Sequence, residues 1–475
     1  MPEILVIKVG ALGDVLRTTA VLPGLRERVG DARVTWLTAA AARPLVERHP
    51  LVDRVVTWDD DDASALAVTE ALQATRWDWV LSLDDEQPLC ALAARLDAER
   101  LSGATLDASG GCAYTDDVEP WFGMGLLARD GKRAADRRKV ENRRTQPAIY
   151  ADMLGIPEGR PALPLPEHAL AAAQAFAQAH GLFDDELVVG LNTGAGGRWA
   201  SKELPRERVV EFAAQFASTQ ARPVHFLVLG GSEERARNDQ IIAGIRAIGA
   251  RARALDPGTD NDLVTFSALL ALSDVLVTSD SLALHLALAT ETKVVAFFAP
   301  TSAAEIELYG LGEKVVSTAA DYCSYLPDAD NSSITPSRLV DATARVLALG
   351  RRRRGWCRVR SVGRPDSPAG GQVFGGGRYA PVRARRAAMK LLTNATIAKT
   401  ELAIINATRM TAAESSLPIA PFIAIPLPAS ASRVSSTATC AIALLSRFTP
   451  PWQSSNRTPM AAGINAVPEG VSEPK

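Results

Sequence analysis

A carboxylate follows the first apolar run of the chain, at the point where a strand would give way to a helix. The apolar run Ile4–Val9 leads into the stretch KVGALGDVLRTTAVLPGL, Lys8–Leu25, in which Asp14 follows two glycines. The glycines permit a tight turn and the close approach of another molecule, but their spacing is not the dinucleotide fingerprint G-x-G-x-x-G. Two interpretations of Asp14 stay open: a carboxylate that stabilises the helix start, or a general base that points into a cleft.

A second loop has the residue types that bind phosphate. The stretch NTGAGGRWASKELP, Asn192–Pro205, lies between a predicted strand and a predicted helix, and it contains Thr193, Arg198 and Lys202. Backbone amides of a glycine-rich loop, a hydroxyl, a cation and a helix start together favour phosphate binding. The loop does not fit the Walker A pattern G-x-x-x-x-G-K-[ST], and a plain flexible loop is the alternative.

A third loop places two carboxylates at a predicted helix start. In LGGSEERARN, Leu229–Asn238, Ser232 is a good candidate N-cap, and Glu233 and Glu234 fall in the first turn. Acidic residues in a first turn stabilise the helix by themselves, and on this stretch alone that interpretation is slightly favoured. The functional alternative is a carboxylate that accepts hydrogen bonds from ribose hydroxyls, as in other nucleotide sites.

The fourth loop is the most informative one. In TSDSLALHLALA, Thr278–Ala289, Asp280 and Ser281 lie where a strand ends and a helix begins, and His285 follows about one turn into that apolar helix. A lone histidine on an apolar face is usually a core residue with satisfied hydrogen bonds. Here the polar cluster at the helix N-terminus favours a site that faces a pyrophosphate.

The elements around these loops alternate between strand and helix. Apolar runs separated by Ala/Leu-rich periodic segments predict a parallel sheet covered by helices. The pattern occurs up to about residue 105 and again from His168, and the less regular region 106–166 ends in a Pro-rich interdomain linker. We therefore predict an α/β protein with domains 1–166 and 167–350 that face a cleft. Ligands bind beyond the carboxyl ends of strands in such sheets, so the four loops would line that cleft.

The C-terminal segment, residues 351–475, is a different kind of sequence. It holds 18 Lys and Arg against 5 Asp and Glu, whereas the rest holds 34 and 49, so the two parts carry net charges of +13 and −15. Its Gly-rich and then Ser/Thr/Ala/Pro-rich composition predicts a mostly disordered basic tail, with a reading-frame artefact as the alternative. A basic run can bind nucleic acid or anionic lipid, but a solvated tail is the favoured interpretation, and we expect no nucleic-acid partner.

The remaining composition is typical of a cytoplasmic globular protein. The hydrophobic and charged fractions are 47 % and 22 %, which are ordinary values. No apolar run reaches the ~18 residues of a membrane span, and the N-terminus predicts no signal peptide. The five cysteines are scattered without metal-ligand spacing, which fits a reducing compartment.

Together these stretches resemble the family 9 glycosyltransferases, the ADP-heptose:lipopolysaccharide heptosyltransferases and their relatives. The matching motifs, in family order between residues 3 and 349, are KVGALGDVLRTTAVLPGL, LNTGAGGRWASKELP, VLGGSEE, TSDSLALHLALA and FFAPTSAAEIELYG. The resemblance implies a GT-B fold, in which two Rossmann-like domains face a cleft. In that fold the N-terminal domain binds the sugar acceptor and the C-terminal domain binds the nucleotide sugar.

The resemblance also implies roles for single residues. Asp14 matches the catalytic carboxylate. The residues that match donor contacts are Thr193 and Lys202 for the phosphates, Glu234 or Glu233 for the ribose, and Asp280, Ser281, Leu282 and His285 for the diphosphate and sugar. Family members often have Thr-Gly after the last aspartate, where this chain has Ser-Leu, so the identity of the sugar stays open.

The activity implied by the resemblance is an inverting transfer of a heptosyl or related group from a nucleotide-diphosphate sugar, ADP-heptose, to a lipopolysaccharide core acceptor. No D-x-D pair occurs at these loops, so we expect no cofactor and no obligatory metal. The protein would be cytoplasmic, with peripheral contact at the inner membrane left open. The alternatives are a transferase with another donor sugar, a nicotinamide dehydrogenase that lacks the usual fingerprint, and a nucleotide-sugar-binding protein without catalysis.

Overall fold

The computed structural model of the chain describes residues 1–59, 62–183, 185–194, 196 and 199–350, and of residues 62–64 it describes the backbone alone. The predicted basic tail, 351–475, lies outside the described residues, and so does Arg198 of the second loop. Within the described residues, no helix is long and apolar enough to cross a membrane.

In the first sheet, the two central neighbouring strands run parallel, so their C-terminal ends lie at the same edge. Its strands are β1 Glu3–Ile7, β2 Arg33–Ala39, β3 Arg54–Trp58, β4 Trp77–Ser82, β5 Ala98–Leu106 and β6 Cys112–Tyr114. They lie in the order β3-β2-β1-β4-β5-β6. All pairs are parallel except β5 with β6, which is antiparallel. The crossover between β1 and β4 is the switch point at which such sheets bind ligands.

The second sheet repeats this order. Its strands are β7 Leu187–Asn192, β8 Val224–Val228, β9 Ala252–Leu255, β10 Val275–Ser279, β11 Val294–Phe298 and β12 Gly312–Val316. They lie in the order β12-β11-β10-β7-β8-β9, and every pair is parallel. The central neighbours are β7 and β10, so the loops that follow these two strands lie at the same edge. The predicted α/β fold of two Rossmann-like sheets is thereby confirmed.

Helices connect the strands in both halves. The bounds are α1 Leu12–Thr18, α2 Val21–Val29, α3 Arg43–Val46, α4 Asp62–Gln73, α5 Gln87–Ala93, α6 Glu119–Phe122, α7 Lys132–Glu141, α8 Gln146–Leu154, α9 Glu167–Ala179, α10 Arg206–Thr219, α11 Arg235–Ala247, α12 Leu263–Leu270, α13 Leu282–Ala289 and α14 Pro336–Ala348. The predicted cap of the last helix is confirmed, because the Thr335 hydroxyl accepts a hydrogen bond from the Arg338 backbone N–H.

Alternate residues of the central strands face opposite layers. Ile4 and Val6 belong to a core that also includes Leu276 of β10, whereas Leu5 and Ile7 face a separate cluster on the other side of the first sheet. Strands that are buried on both faces appear in a sequence as continuous apolar runs. These strands could therefore be predicted from the sequence. The first of these cores joins the two halves of the molecule.

The region 106–166 is more regular than its sequence suggests. It contains α6, α7 and α8, and the charged stretch that includes Lys132–Glu141 is a helix. Among the residues of α7, Ala135 alone is buried, so the apolar periodicity that identifies an amphipathic helix is absent.

Candidate active site

One cavity of about 1120 Å³ collects polar side chains from both halves of the molecule. The predicted residues that line it are Asp14, Lys202, Glu234, Asp280, Ser281, Leu282 and His285. It lies where the loops after β1, β4, β7, β8, β10 and β11 converge, which is the region that strand topology designates for ligand binding. The sequence-based expectation that the four loops share a cleft is therefore met by the geometry.

The loop that carries Asp14 is fixed by another carboxylate. Asp84, which follows β4, accepts hydrogen bonds from the Lys8 ammonium and from the backbone N–H groups of Val9 and Gly10. The next residue, Ala11, has a φ of +38°, a conformation that a non-glycine residue adopts only when its surroundings enforce it. The result is a bent entry to α1 that brings Asp14 to the cavity.

Asp14 itself is an ion-paired carboxylate that remains open to solvent. Its Oδ1 lies 2.9 Å from Arg17 Nη2, and 37 % of its side chain is exposed. Burial raises the pKa of this carboxyl, but the positive charges of Arg17 and Lys8 outweigh it and hold the pKa below its usual value. Asp14 is therefore ionised at neutral pH, the state in which it can accept a proton.

The two halves meet closely where the first turn of α1 packs on α13. A Cβ added to Gly13 would lie 2.7 Å from Cδ2 of the His285 ring, a distance that real side chains do not tolerate. Glycine is therefore required for this approach. The contact brings the N-terminal ends of α1 and α13, with Asp14 and Asp280, to the same cavity.

Asp280 holds the cation of the second loop. Lys202 Nζ donates to the Asp280 backbone carbonyl at 2.8 Å and to its Oδ2 at 3.2 Å. Burial raises the pKa of Asp280, but its charged surroundings, Lys202 foremost, outweigh this and hold the pKa below its usual value. Asp280 is therefore an anion that positions Lys202 in the cavity.

His285 is a neutral imidazole in this setting. It is 7 % exposed, and its Nε2 lies 4.0 Å from Asp280 Oδ1. Burial, reinforced by the charge of Arg17, lowers its pKa to about 4. At the start of its helix, Ser281 is the N-cap residue, and its hydroxyl lies 3.1 Å from that of Thr278.

The third loop differs in detail from the prediction. Gly231, and not Ser232, is the N-cap residue of the short 3₁₀ turn Ser232–Glu234. The Glu234 carboxylate accepts hydrogen bonds from the backbone N–H groups of Gly231 at 2.8 Å and Gly196 at 2.6 Å. Of the two glutamates, Glu234 lines the cavity and Glu233 does not. Glu234 thus ties the second loop to the third.

Thr193 does not reach the cavity. It is 2 % exposed, and its hydroxyl accepts a hydrogen bond from Arg237 Nη1 at 3.1 Å. Arg237 also donates to the backbone carbonyls of Thr193 and Leu204. The geometry gives Thr193 a role in fixing the loop and does not support a direct contact between its hydroxyl and a phosphate.

Sequence reasoning missed several residues of the cavity. Arg17 and Asp84 shape the Asp14 loop, and Lys139, Glu305 and Tyr325 also line the cavity. Asp84 could have been found from the strand order, because it follows β4 and β4 lies beside β1 in the sheet. Within the described residues, no group of three or more His, Cys, Asp or Glu side chains is arranged to hold a metal ion.

This arrangement can support a displacement at an activated carbon. An ionised carboxylate can accept a proton from an attacking group, and fixed donors on the other side can stabilise an anionic leaving group. Lys202 and the N-terminus of α13 provide such donors.

The comparisons with known proteins agree with this geometry. The model of glycosyltransferase family 9 (heptosyltransferase) matches residues 124–331. That range contains the second, third and fourth loops but does not extend to Asp14. None of the curated proteins matches the sequence.

Two solved structures share the fold over the whole of their length. A family 9 glycosyltransferase from Veillonella parvula is 18 % identical with a TM-score of 0.59, covering 74 % of this chain and 98 % of that one. ADP-heptose LPS heptosyltransferase II from E. coli is 20 % identical with a TM-score of 0.51, covering 73 % and 99 %. The resemblance that the sequence motifs indicate is therefore supported by a family 9 match over residues 124–331, and the fold that it implies is confirmed by the two structures.

Proposed function

We propose that the chain transfers a heptosyl group from ADP-heptose to a lipopolysaccharide core acceptor, with inversion at the anomeric carbon. The observation that carries this proposal is the presence of ionised Asp14 in one cavity with Lys202, Asp280 and His285. The choice of donor and acceptor rests on the E. coli relative, which is described as an ADP-heptose LPS heptosyltransferase. The transfer would take place at the cytoplasmic face of the inner membrane, where the protein would be peripheral.

The donor diphosphate would lie between Lys202 and the N-terminus of α13. Lys202 is paired with Asp280, and a bound diphosphate would share its ammonium. The backbone N–H groups of Ser281, the N-cap residue, and of Leu282, the first residue of α13, have no partner within the helix and suit an anion. Glu234, whose carboxylate lines the cavity, would accept hydrogen bonds from ribose hydroxyls.

The reaction is a single displacement. The acceptor hydroxyl oxygen forms a bond to the anomeric carbon as its proton passes to Asp14, and the bond from that carbon to the diphosphate oxygen breaks. The low pKa of Asp14 makes it a weak base, so we expect its proton transfer to occur late, when the attacking oxygen has become acidic. Lys202 and the helix N-terminus balance the charge that develops on the diphosphate, and the proposed reaction needs no metal.

The test is ADP release from ADP-heptose with and without heptose-deficient lipopolysaccharide. Acceptor-dependent release, with a product of inverted anomeric configuration by NMR, is the expected result. Retention of configuration would overturn the single displacement. If ADP-heptose binds but no release occurs, the acceptor is wrong or the protein is non-catalytic. If ADP-heptose does not bind, the donor is another nucleotide sugar.

A further inference from the structure

A second group of polar side chains lines the cavity and has no part in the reaction described above. It consists of Lys139 from α7, Glu305 from the loop after β11, and Tyr325 from the segment after β12. The group therefore draws on both halves of the molecule. We refer to it as the 139/305/325 cluster.

Glu305 presents a carboxylate that the protein satisfies only in part. Its Oε1 accepts a hydrogen bond from the Tyr325 hydroxyl at 3.0 Å, and its backbone carbonyl accepts one from the Gln146 N–H at 2.9 Å. Among the described residues, no hydrogen bond or ion pair reaches its other carboxylate oxygen. A half-buried charge without hydrogen-bond partners is unfavourable, unless a ligand supplies those partners.

Tyr325 is held in an uncommon backbone conformation. Its φ is +56°, and that of Cys323 is +63°. Backbone hydrogen bonds from Cys323 to Ala299 at 2.9 Å and from Tyr325 to Pro300 at 2.8 Å fasten this segment to the loop after β11. Such strain persists only where the surroundings enforce it, and it concentrates at functional sites. Burial raises the pKa of Tyr325, so its hydroxyl remains a donor.

Lys139 contributes an ammonium group from the other half of the molecule. Its Nζ lies 4.3 Å from the centroid of the Tyr325 ring. Within the described part of the chain, no carboxylate lies within ion-pair distance of it. A cation over an aromatic face is stabilised while its N–H groups stay free for a ligand.

The cluster lies beside the proposed diphosphate site. The Trp199 and Tyr325 rings meet edge to face, with centroids 6.4 Å apart. Lys202 Nζ lies 5.3 Å from the Trp199 ring centroid. Each ring of this pair therefore has one of the two cations near it, Lys202 at Trp199 and Lys139 at Tyr325. A sugar bound at the cluster would adjoin the donor.

We propose that the 139/305/325 cluster is the acceptor subsite, and that Glu305 selects the acceptor by receiving hydrogen bonds from its sugar hydroxyls. This inference rests on the proposed function and deepens it, because it assigns acceptor recognition to residues of both halves. The aromatic ring offers an apolar face to the sugar, and the Lys139 ammonium offers donors to an oxygen or an acidic group. A hydroxylated sugar with an acidic substituent fits this set of contacts.

The test compares binding of the wild-type protein and two variants to a glycan array that includes heptose-deficient lipopolysaccharide, in the presence of ADP. Glu305→Gln removes the charge at the cluster. Glu307→Gln is the matched control, because Glu307 lies on the same loop, accepts a hydrogen bond from the Tyr309 N–H and does not line the cavity. Unchanged ADP affinity in calorimetry verifies that each variant is folded.

We expect Glu305→Gln to weaken glycan binding at least tenfold while Glu307→Gln retains wild-type binding. If the glycan bound is one other than the lipopolysaccharide, and Glu305→Gln still weakens it, the subsite is supported and the proposed acceptor is wrong. Equal binding by wild type and Glu305→Gln, or no glycan binding by the wild type, would overturn the subsite.

A milder variant covers the case in which Glu305→Gln does not fold. Tyr325→Phe removes only the hydroxyl that orients Glu305, and about threefold weaker glycan binding with unchanged ADP affinity is the expected result. Wild-type glycan binding by Tyr325→Phe would contradict the proposed contact.

Discussion

Each half of the molecule holds a Lys–Asp pair at the same place in its sheet, but the two pairs are buried to different degrees. The strand order is the same in both sheets, so β4 and β10 each lie beside the first strand of their half. Asp84 follows β4 and pairs with Lys8, with side chains 5 % and 10 % exposed. Asp280 follows β10 and pairs with Lys202, with side chains 18 % and 22 % exposed.

The difference separates a pair that is occupied by the protein's own contacts from one that is more open to a ligand. Asp84 also accepts hydrogen bonds from two backbone N–H groups, so its carboxylate is occupied by the loop that leads to Asp14. Both pairs line the cavity, but the side chains of Lys202 and Asp280 are more exposed, and Lys202 contacts one carboxylate and one carbonyl. We infer that the first pair shapes the loop that carries Asp14, whereas the second holds a cation that an anionic ligand could share.

Removal of the more buried pair should have the largest effect on stability. Asp84→Asn leaves Lys8 buried without a counter-charge, and we expect a loss of about 3–5 kcal/mol in the free energy of unfolding. The matched variant Asp280→Asn should cost less, about 1–2 kcal/mol, because its partner is more accessible to water. Chemical unfolding followed by circular dichroism measures both. Equal losses would show that the two pairs do not differ as proposed.

The buried histidines should make stability fall in mild acid. The pKa of His285 is lowered to about 4 and that of His49 also to about 4, both chiefly by burial. Because the unfolded chain protonates these groups near pH 6.5 and the folded chain does not, stability is lost as the pH falls from about 6.5 to 4. Each group contributes at most about 3 kcal/mol.

The pH dependence has a direct check in the melting temperature. The melting temperature should fall between pH 7 and pH 4.5, and this fall should be smaller in His285→Asn than in the wild-type protein. His168→Asn is the control, since that residue is exposed. An unchanged slope in His285→Asn would contradict a neutral, buried imidazole.

The contact between the halves can be tested with one methyl group. Gly13→Ala places a Cβ against the His285 ring, and we expect a loss of about 1–3 kcal/mol in stability together with reduced turnover. Gly125→Ala is the control for stability, because the nearest atom to its added Cβ is 3.4 Å away. Wild-type stability and turnover in Gly13→Ala would show that α1 and α13 are not held together at this point.

Loss of Lys202, the cation of the more exposed pair, should weaken donor binding. Lys202→Ala is expected to weaken ADP binding about tenfold, or about 1.4 kcal/mol, as measured by calorimetry. Lys132→Ala, which alters an exposed lysine with an 81 % exposed side chain, is the control. If Lys202→Ala binds ADP as the wild type does, the diphosphate is bound elsewhere.

The parts of the fold that could be predicted are those in which local sequence decides the structure. The central strands are apolar on both faces, and the loops after β1 and β10 combine small residues with one carboxylate before a helix. The helix Lys132–Glu141 could not be predicted, because it buries little and so has no apolar stripe.

The parts of the site that could not be predicted depend on tertiary pairing. Thr193 has the residue type of a phosphate ligand, but Arg237, distant in sequence, binds its hydroxyl within the loop. Glu305 and Tyr325 come together only because the chain after β12 returns to the loop after β11. Asp84 acts on the Asp14 loop only because β4 lies beside β1.

The most direct test of the account is the turnover of Asp14→Asn with ADP-heptose and heptose-deficient lipopolysaccharide, measured together with its affinity for ADP. Asparagine preserves the shape of the side chain but cannot accept the proton. We expect kcat to fall by a factor of about 10²–10⁴ while the Kd for ADP stays within about twofold of the wild-type value. Wild-type turnover by Asp14→Asn would contradict the assignment of Asp14 as the base.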